Sequence, residues 1–305
     1  MKPLRSVRVS VPASTSNLGP AFDCLGMALD LRNELTLELY KDPGEVVVEI
    51  EGEGAGKLPA GRANLLAKAA LCVLGSRHEG LIVLKAVNRI PTSRGLGSSA
   101  AAIVAGLYAA NAVLDAPLSD EELFKYAVTL EGHPDNVAPA LYGGLQLSTS
   151  DETKLPRLHA LMPHPELRAV VCVPAFELAT SEARAVLPRT VLREQAVDNI
   201  SRALLLASAL ERGRWADLAA AMQDTIHQPY RAPLIKGLTS VLRAARKAGQ
   251  CGAALSGAGP SVLALCRRGT GEEAIGAAMT AAFLAQGVES RSLLLSVDRQ
   301  GARRL

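Results

Sequence analysis

Aromatic residues are scarce in this sequence of 305 residues, at 3%, and cysteine occurs only five times. The cysteines are scattered and none stands in a Cys-x-x-Cys pair, which argues against a disulfide framework or a zinc site and favours reduced thiols. No apolar run is long enough to cross a bilayer, and the opening residues MKPLRSVRVSVPAS lack the apolar stretch of a signal peptide. We therefore expect a cytoplasmic protein that does not enter a membrane.

An excess of charge of one sign is also missing. The net charge is +3, and no cluster of Lys and Arg is interleaved with aromatic residues, so nucleic acid is not an expected partner. Hydrophobic residues make up 49% and charged residues 21%, as in ordinary globular proteins. With so few aromatics, the core must consist of Ala, Val, Leu and Ile. The length exceeds the usual size of one compact core, which favours two domains.

The order of predicted strands and helices indicates an α+β fold. Strands come in runs, as around Val7–Val11 and Leu35–Leu39, rather than in strict alternation with helices, which argues against a doubly wound parallel sheet. A polar stretch containing proline, 148–165, separates the two halves, and we predict domains of residues 1–160 and 161–305. Further strands are predicted at 45–51, 81–87, 168–173, 253–255, 261–266 and 291–297.

Helices are predicted from the spacing of apolar residues. The clearest start is Ser119, an N-cap that forms a capping box with Glu122. This helix is expected to end at the segment EGHPDN (131–136), because Gly132 and Pro134 both interrupt helices. Other helices are predicted at 62–76, 99–114, 194–211, 215–226, 234–248 and 271–286.

The loop PTSRGLGSSAA (91–101) allows three interpretations. It contains the dinucleotide-binding pattern G-x-G-x-x-A, but the seven residues between Val87 and Gly95 are too many for the tight turn of that motif. A Walker A loop is excluded because no Lys follows the glycines. The third interpretation is a different anion cradle, in which Gly95 and Gly97 let backbone N–H groups approach a phosphate, and Ser98 and Ser99 open a helix. A structural loop with a capping serine is the plain alternative.

Two more segments decide between these interpretations. VPASTSNLGPAFDCLGMAL (11–29), PTSRGLGSSAA and LSGAGPSVLAL (255–265) resemble, in order, the three signature motifs of the GHMP kinases. The resemblance implies a two-domain α+β fold, in which the N-terminal domain is similar to the second domain of ribosomal protein S5 and the C-terminal domain is ferredoxin-like. It also implies ATP as the nucleotide and Mg²⁺ as its cation.

Within that family, the segment EGHPDNVAPALYGG (131–144) resembles the members that act on homoserine. TSEAR (180–184) and HQPYRAPLI (227–235) are similar to the same members. The implied reaction is ATP-dependent phosphorylation of the hydroxyl of L-homoserine to O-phospho-L-homoserine, a step of threonine biosynthesis. A homodimer is implied as well.

The resemblance also implies roles for individual residues. Arg184 and Arg231 would hold the carboxylate of homoserine, with Thr180 beside them. Asp23 and Asn17 would hold the amino and hydroxyl end, helped by His133 and Asn136. Asn64 would touch adenine, with helix capping as its plain alternative. The residues lining the phosphates would be Pro91, Thr92, Ser93, Arg94, Gly95, Leu96, Gly97, Ser98, Ser99, Ala100 and Ala101. The ligands of Mg²⁺ would be Ser98 or Ser99, with Glu131.

Some relatives place an Asp as a base where this sequence has Asn136. An amide cannot take a proton, so we expect Asn17 and Asn136 to orient the reacting hydroxyl without a strong base. Three other functions remain open from the sequence. These are a kinase for another alcohol such as mevalonate, a catalytically silent paralogue that binds a ligand, and a nicotinamide-dependent dehydrogenase.

Overall fold

The computed structural model describes residues 2–75, 78–150 and 156–305, and two β-sheets organise them. The first sheet contains β1 (Arg5–Ser16), β2 (Leu25–Pro43), β3 (Val46–Gly52), β4 (Gly80–Asn88), β5 (Leu145–Ser150), β6 (Pro156–Leu161) and β11 (Arg303–Arg304). Its order is β11-β1-β2-β4-β3, while β5 pairs with β2 and β6 with β5. Among the described strands of this sheet, only β3 and β4 pair in parallel. This mostly antiparallel sheet excludes the doubly wound fold that a dinucleotide-binding loop requires.

The helices α1 (Leu65–Leu74), α2 (Ser98–Ala112) and α4 (Pro134–Tyr142) pack against the first sheet, and α3 (Asp120–Glu131) packs on these helices. The helix α2 is buried on nearly all sides and is built largely of alanine. Small residues allow α1 and α2 to approach closely, and a side chain at Gly106 would overlap the carbonyl of Leu66. The core therefore needs few aromatic residues.

The second sheet contains β7 (Leu167–Pro174), β8 (Cys251–Leu255), β9 (Val262–Arg267) and β10 (Ser290–Ser296), all antiparallel in the order β10-β7-β9-β8. This is the strand order of a ferredoxin-like domain and agrees with the α+β prediction. The helices in this half are α5 (Thr180–Ala185), α6 (Arg193–Arg212), α7 (Leu218–Ala221), α8 (Gln228–Arg231), α9 (Leu238–Ala248) and α10 (Glu272–Leu284). No described helix is long and apolar enough to cross a bilayer.

The two faces of the second sheet belong to two different hydrophobic clusters. Val170 and Cys172 pack with α9 and α10 in a small cluster of the C-terminal half. Ala169, Val171 and Val173 alternate with them along β7 and join the large cluster that also holds the first sheet, α1 and α2. The large cluster is thus continuous between the two halves of the chain.

The secondary structure departs from the sequence-based expectation after Gly132, within 148–165 and within 215–226. Gly132 ends α3 in the left-handed conformation as expected, but Pro134 then begins α4, because proline is well tolerated in the first turn of a helix. The stretch 148–165 contains the end of β5 and all of β6, apart from 151–155, which lie outside the described residues. The helix predicted at 215–226 is a short 3₁₀ turn followed by α7, which ends at Ala221.

The chain passes from the first sheet to the second between the end of β6 at Leu161 and the start of β7 at Leu167. It then returns, because β11 pairs with β1 and Leu29 forms an isolated bridge with Val297. The division at residues 160 and 161 stays a prediction.

Candidate active site

A glycine-rich turn joins β4 to α2. Gly95 and Gly97 have φ angles of 71° and 66°, which side chains rarely adopt. A side chain at Gly97 would also overlap the Ser14 hydroxyl, so only glycine fits there. Gly97 is the N-cap of the 15-residue helix α2, and no side chain of the described residues caps this start. The free N–H groups and the helix dipole therefore favour an anion at this point.

The turn faces a cleft that is lined from both halves of the chain. The cleft gathers most of the predicted site residues: Asn17, Asp23, Ser93, Arg94, Gly95, Gly97, Ser98, Ser99, Glu131, His133, Asn136, Thr180, Arg184 and Arg231. It also contains residues that sequence reasoning missed: Ser16, Asp135, Leu178, Gly257 and Ala258. The last two belong to the third motif, in which no individual residue was singled out.

An adjoining, more apolar pocket lies on the other side of the glycine-rich turn. Ile50, Leu58 and Leu66 line it, and it reaches Ser98 and Ser99. Asn64 lies at its edge, but its side chain accepts a hydrogen bond from the N–H of Leu66 at 2.9 Å and donates to the carbonyl of Pro59 at 2.7 Å. Asn64 therefore caps α1, and its contact with adenine stays a prediction.

Several of the predicted phosphate-lining residues are buried or have side chains engaged elsewhere. Pro91, Leu96, Ala100 and Ala101 are buried, and neither pocket includes them. The guanidinium of Arg94 donates to the carbonyls of Thr92, Pro174 and Ala175 at 2.8, 3.0 and 2.7 Å. The Arg94 side chain thus ties the turn to the end of β7 instead of pointing at a phosphate. Thr92 lines the apolar pocket.

Ser99 and Glu131 meet at the mouth of the turn. The Ser99 hydroxyl donates to Glu131 Oε2 at 2.6 Å, and burial raises the pKa of the Glu131 carboxyl. Mg²⁺ takes oxygen ligands at ~2.0–2.1 Å in an octahedron, so neighbouring ligands lie about 2.9 Å apart. A hydroxyl and a carboxylate at this spacing suit that cation, and the residues present therefore fit Mg²⁺.

Asn17 and Asp23 lie on one strained loop at the far end of the cleft. Asn17 Nδ2 donates to the carbonyl of Gly257 at 2.9 Å, and its Oδ1 accepts from the N–H of Asp23 at 2.9 Å. Asn17, Leu18 and Asp23 have φ angles of 69°, 44° and 57°, which are costly for residues other than glycine. The hydrogen bonds of the loop thus hold these two side chains in place in spite of the unfavourable backbone conformation.

Two guanidinium groups close this end of the cleft. Arg184 donates to both carboxylate oxygens of Asp23, at 2.7 and 3.0 Å. Arg231 is only 1% exposed, and its hydrogen-bond partners are the neutral acceptors Ala183 O, His227 Nδ1 and Gly257 O. Burial and then the Arg184 charge lower its pKa to about 10, so the group is still charged at neutral pH. Among the described residues, no carboxylate lies within ion-pair distance of Arg231, and Asp23, Asp224 and Asp135 raise its pKa only from farther away.

Asn136 lies between this end and the glycine-rich turn. Its Oδ1 accepts from the Ser14 hydroxyl at 2.9 Å, and its Nδ2 donates to the Ser16 oxygen at 3.0 Å. The two serines of β1 thereby fix the orientation of the amide. His133 is the N-cap of α4 and Thr180 begins α5, and both line the cleft.

Asp135 is the most important residue that sequence reasoning missed. It lies in the first turn of α4, is 4% exposed and lines the cleft. Burial, followed by the charge of Asp23, raises its pKa. A buried carboxyl with a shifted pKa in a cleft is typical of a functional group. In the sequence, Asp135 could have been found from its position between His133 and Asn136, which are both predicted to bind the substrate.

Comparisons with known proteins agree with this geometry. A family model described as the GHMP kinases N-terminal domain matches residues 64–144, and one described as GHMP kinases C terminal matches residues 206–285. A homoserine kinase of Moorella thermoacetica is 45% identical over 296 residues, covering 96% of this chain and 98% of its own. The chain belongs to the GHMP kinase family, among the homoserine kinases.

Solved structures of GHMP kinases have the same fold. A homoserine kinase from Cytophaga hutchinsonii superposes with a TM-score of 0.89 at 32% identity, covering 100% of this chain and 99% of that one. A mevalonate kinase of L. major in complex with R-mevalonate gives a TM-score of 0.71 at 18% identity, which shows the fold alone. As a GHMP kinase, the chain is an ATP-dependent phosphotransferase with an alcohol acceptor.

Proposed function

We propose that this chain transfers the γ-phosphoryl group of ATP to the hydroxyl of L-homoserine, forming O-phospho-L-homoserine and ADP in threonine biosynthesis. The observation that carries the proposal is the buried, unpaired charge of Arg231. A buried charge is costly unless it is paired, so the site calls for an anion from the ligand. The carboxylate of an amino acid supplies one.

The charges around Arg231 suit a zwitterion. Arg231 and Arg184 would bind the carboxylate, with Thr180 at the start of α5 beside them. Asp23 and Asp135 would bind the ammonium group, since both carboxylates line the same cleft. Their mutual repulsion, which raises the pKa of Asp135, would be relieved by that cation. An alcohol without an amine, such as mevalonate, leaves both carboxylates uncompensated.

The hydroxyl would lie between the two asparagines and the glycine-rich turn, with His133 at its side. Asn136 cannot accept a proton, and its amide is already oriented by Ser14 and Ser16. We propose that Asn17 and Asn136 position the hydroxyl, whose proton passes to the γ-phosphate or to solvent. Phosphoryl transfer has a loose transition state, so positioning and charge neutralisation supply most of the catalysis.

The nucleotide would lie over the glycine-rich turn, with adenine in the apolar pocket beside Asn64. Ser99 and Glu131, with Ser98 next to them, would hold Mg²⁺. When bound, this cation neutralises charge on the phosphates. The N–H groups at the start of α2 would bind phosphate oxygens. The intact turn and the Ser99–Glu131 pair argue against a catalytically silent paralogue.

A homodimer and a cytoplasmic location complete the proposal. Val197, Ile200 and Leu204 form an apolar stripe on α6 and are 60%, 61% and 68% exposed. Such a stripe is typical of an interface. The five cysteines are free, as expected in a reducing compartment. Light scattering during gel filtration measures the oligomeric state directly.

The experiment that tests the function is ADP release from Mg-ATP with L-homoserine, D-homoserine, L-serine, mevalonate or no acceptor. We expect turnover with L-homoserine alone. Turnover with mevalonate would retain the nucleotide site but refute the assignments of Asp23, Arg184 and Arg231. ATP binding without turnover on any acceptor would favour the silent paralogue.

A further inference from the structure

His227 lies beneath the acceptor end of the cleft and is completely buried. Its Nε2 is 2.7 Å from the carbonyl oxygen of Gly19, and its Nδ1 is 3.2 Å from Nη1 of Arg231. Its ring stacks on Phe22, with centroids 5.1 Å apart and an interplanar angle of 27°. Gly19 and Phe22 belong to the same strained loop as Asn17 and Asp23. One imidazole thus contacts both Arg231 and that loop.

The two partners determine the protonation of this imidazole. A carbonyl oxygen only accepts hydrogen bonds and a guanidinium only donates them. Nε2 must therefore carry the proton, and Nδ1 must present its lone pair to Arg231. A protonated ring would direct a second N–H at the guanidinium and lose this contact.

The surroundings keep the ring neutral. Burial is the main cause that lowers the pKa of His227, and the Arg231 charge acts in the same direction. Asp224, whose Oδ2 lies 3.6 Å from Nε2, and the more distant Asp23 raise the pKa. Two cations also contact Phe22, the ring that stacks on His227. The guanidinium carbon of Arg184 lies 5.6 Å from the Phe22 ring centroid, and that of Arg231 lies 5.3 Å from it.

The backbone of His227 is fixed as firmly as its ring. The buried carboxylate of Asp224 accepts from the N–H groups of His227 and Gln228 at 3.0 and 2.6 Å. Asn199 donates to Asp224 at 2.8 Å and to the carbonyl of Pro20 at 3.1 Å. Residues 224–228 and the loop 17–23 are therefore held in one hydrogen-bonded unit.

We propose that His227, as the neutral Nε2–H tautomer, is a positioning residue that aims Arg231 at the homoserine carboxylate and ties it to the loop of Asn17 and Asp23. This inference deepens the proposed function and rests on it. His227 touches no reacting atom. Its effect is therefore expected in the binding of homoserine and not in the chemical step.

Two substitutions separate the two contacts while keeping the side chain neutral. In His227→Asn, Oδ1 takes the place of Nδ1 and can still accept from Arg231. In His227→Gln, the longer amide can still donate to Gly19, but no acceptor remains at the place of Nδ1. A hydrogen bond to a charged group is worth about 1.5–3 kcal/mol, so its loss weakens binding by ~10-fold or more.

We expect His227→Gln to raise KM for L-homoserine by ~10-fold or more, with KM for ATP and kcat unchanged. In His227→Asn, which keeps the acceptor for Arg231, KM for L-homoserine should stay close to the wild-type value. Equal KM for homoserine in the two variants, or a matching rise in KM for ATP, would overturn the proposal, because a merely structural role would affect both substrates. Thermal unfolding of each variant shows whether it is folded before kinetics are interpreted.

The wild-type protein gives a second test that needs no substitution of His227. In ¹⁵N-histidine NMR spectra, the His227 signals should be those of the Nε2–H tautomer and should not titrate between pH 5.5 and 8. The signals are assigned by substituting the other four histidines one at a time. An Nδ1–H tautomer or an ordinary titration would overturn the proposal. Lack of homoserine turnover in the wild type would instead refute the proposed function, while the tautomer would still be decided by these spectra.

Discussion

Arg184 binds Asp23 through two hydrogen bonds, from Nη2 to Oδ1 at 2.7 Å and from Nη1 to Oδ2 at 3.0 Å. The two residues are 161 positions apart in the chain, and each side chain is about one-third exposed to the cleft. They are also the residues that we assign to the two opposite charges of homoserine. The free site therefore neutralises itself with the same groups that would bind the substrate. A zwitterion can replace this ion pair with two new ones, whereas a ligand with one charge cannot.

The first prediction concerns ligands of different charge. In Asp23→Asn, Arg184 loses its internal partner and the ammonium group loses its carboxylate. We expect kcat/KM for L-homoserine to fall by ~10-fold or more, while 4-hydroxybutyrate, which has no amine, becomes a better acceptor or inhibitor than it is for the wild type. Steady-state kinetics with both ligands test this. If Asp23→Asn weakened the binding of L-homoserine and of 4-hydroxybutyrate equally, the idea that homoserine replaces the Arg184–Asp23 ion pair would be wrong.

The second prediction concerns the carboxylate. Arg231→Met removes the buried charge and should raise KM for L-homoserine by ~10-fold or more. The effect should be absent with 3-amino-1-propanol, which has the amine and the hydroxyl but no carboxylate. Arg267→Met is the matched control, because Arg267 is half exposed and pairs with Glu166 on the surface. Equal losses with both acceptors would show that Arg231 supports the structure and does not read the carboxylate.

The third prediction concerns stability and pH. The pKa of Asp135 is raised in the folded state, so its charged form destabilises the fold. The wild type therefore loses stability as pH rises above the pKa that this carboxyl has in the unfolded chain. Asp135→Asn should therefore increase the free energy of unfolding at pH 8 and raise Tm by ~2 °C for each kcal/mol of added stability. Near pH 4 the variant and the wild type should have the same Tm. Differential scanning fluorimetry from pH 4 to 8 measures this.

The same variant tests the assignment of Asp135 to the ammonium group. KM for homoserine should rise, and the pH profile of kcat should keep its shape. If kcat instead fell by ~10²–10⁴-fold with KM unchanged, Asp135 would be acting as a general base.

The fourth prediction concerns Asn136. Its removal in Asn136→Ala takes away one oriented hydrogen bond, which is worth about 1 kcal/mol, so kcat should fall by ~5-fold. KM for homoserine should change little, and the pH dependence should be that of the wild type. A loss of ~10²–10⁴-fold, as for a general base, would contradict the proposed mechanism. Initial rates at saturating ATP give both parameters.

The fifth prediction concerns the glycine-rich turn. In Gly97→Ala the new methyl group would overlap the Ser14 hydroxyl, and the φ of 66° adds strain. We expect ATP binding and turnover to be lost almost completely. Gly132→Ala is the control, since Gly132 has a φ of 87° but no atom within 4 Å of the added carbon. It should lose only ~1–2 kcal/mol of stability and keep its activity. Calorimetric titration with ATP compares the two variants.

The parts of the fold that the sequence predicted are those governed by local rules. Ser119 and Glu122 form the expected capping box, with each side chain bound to the other's backbone N–H. Residues governed by contacts distant in sequence escaped prediction. Nothing local distinguishes β6 from a polar loop until it pairs with β5. The predicted helix at 215–226 is cut short because Asp224 captures the N–H groups of residues 226–228.

The residues of the candidate site likewise fall into those that local rules predict and those that depend on contacts distant in sequence. The glycines of the turn were predictable because their positive φ angles need that residue type. Leu96, Ala100 and Ala101 lie in the same motif, but they are buried in the core. The contact of Asp23 with Arg184 depends on how the two halves of the chain meet, and the burial of Asp135 depends on how α4 packs against β2. Periodicity in the sequence carries no information on either.

The shared hydrophobic cluster has a consequence for how such a kinase can diversify. Ala169, Val171 and Val173 pack into the same cluster as the first sheet, so the two halves share an apolar contact face. A chimera that joined the first half of this chain to the second half of a distant relative would have to match that apolar face side chain by side chain. We expect new acceptor specificities to arise by substitution of residues around the cleft rather than by exchange of whole halves between genes.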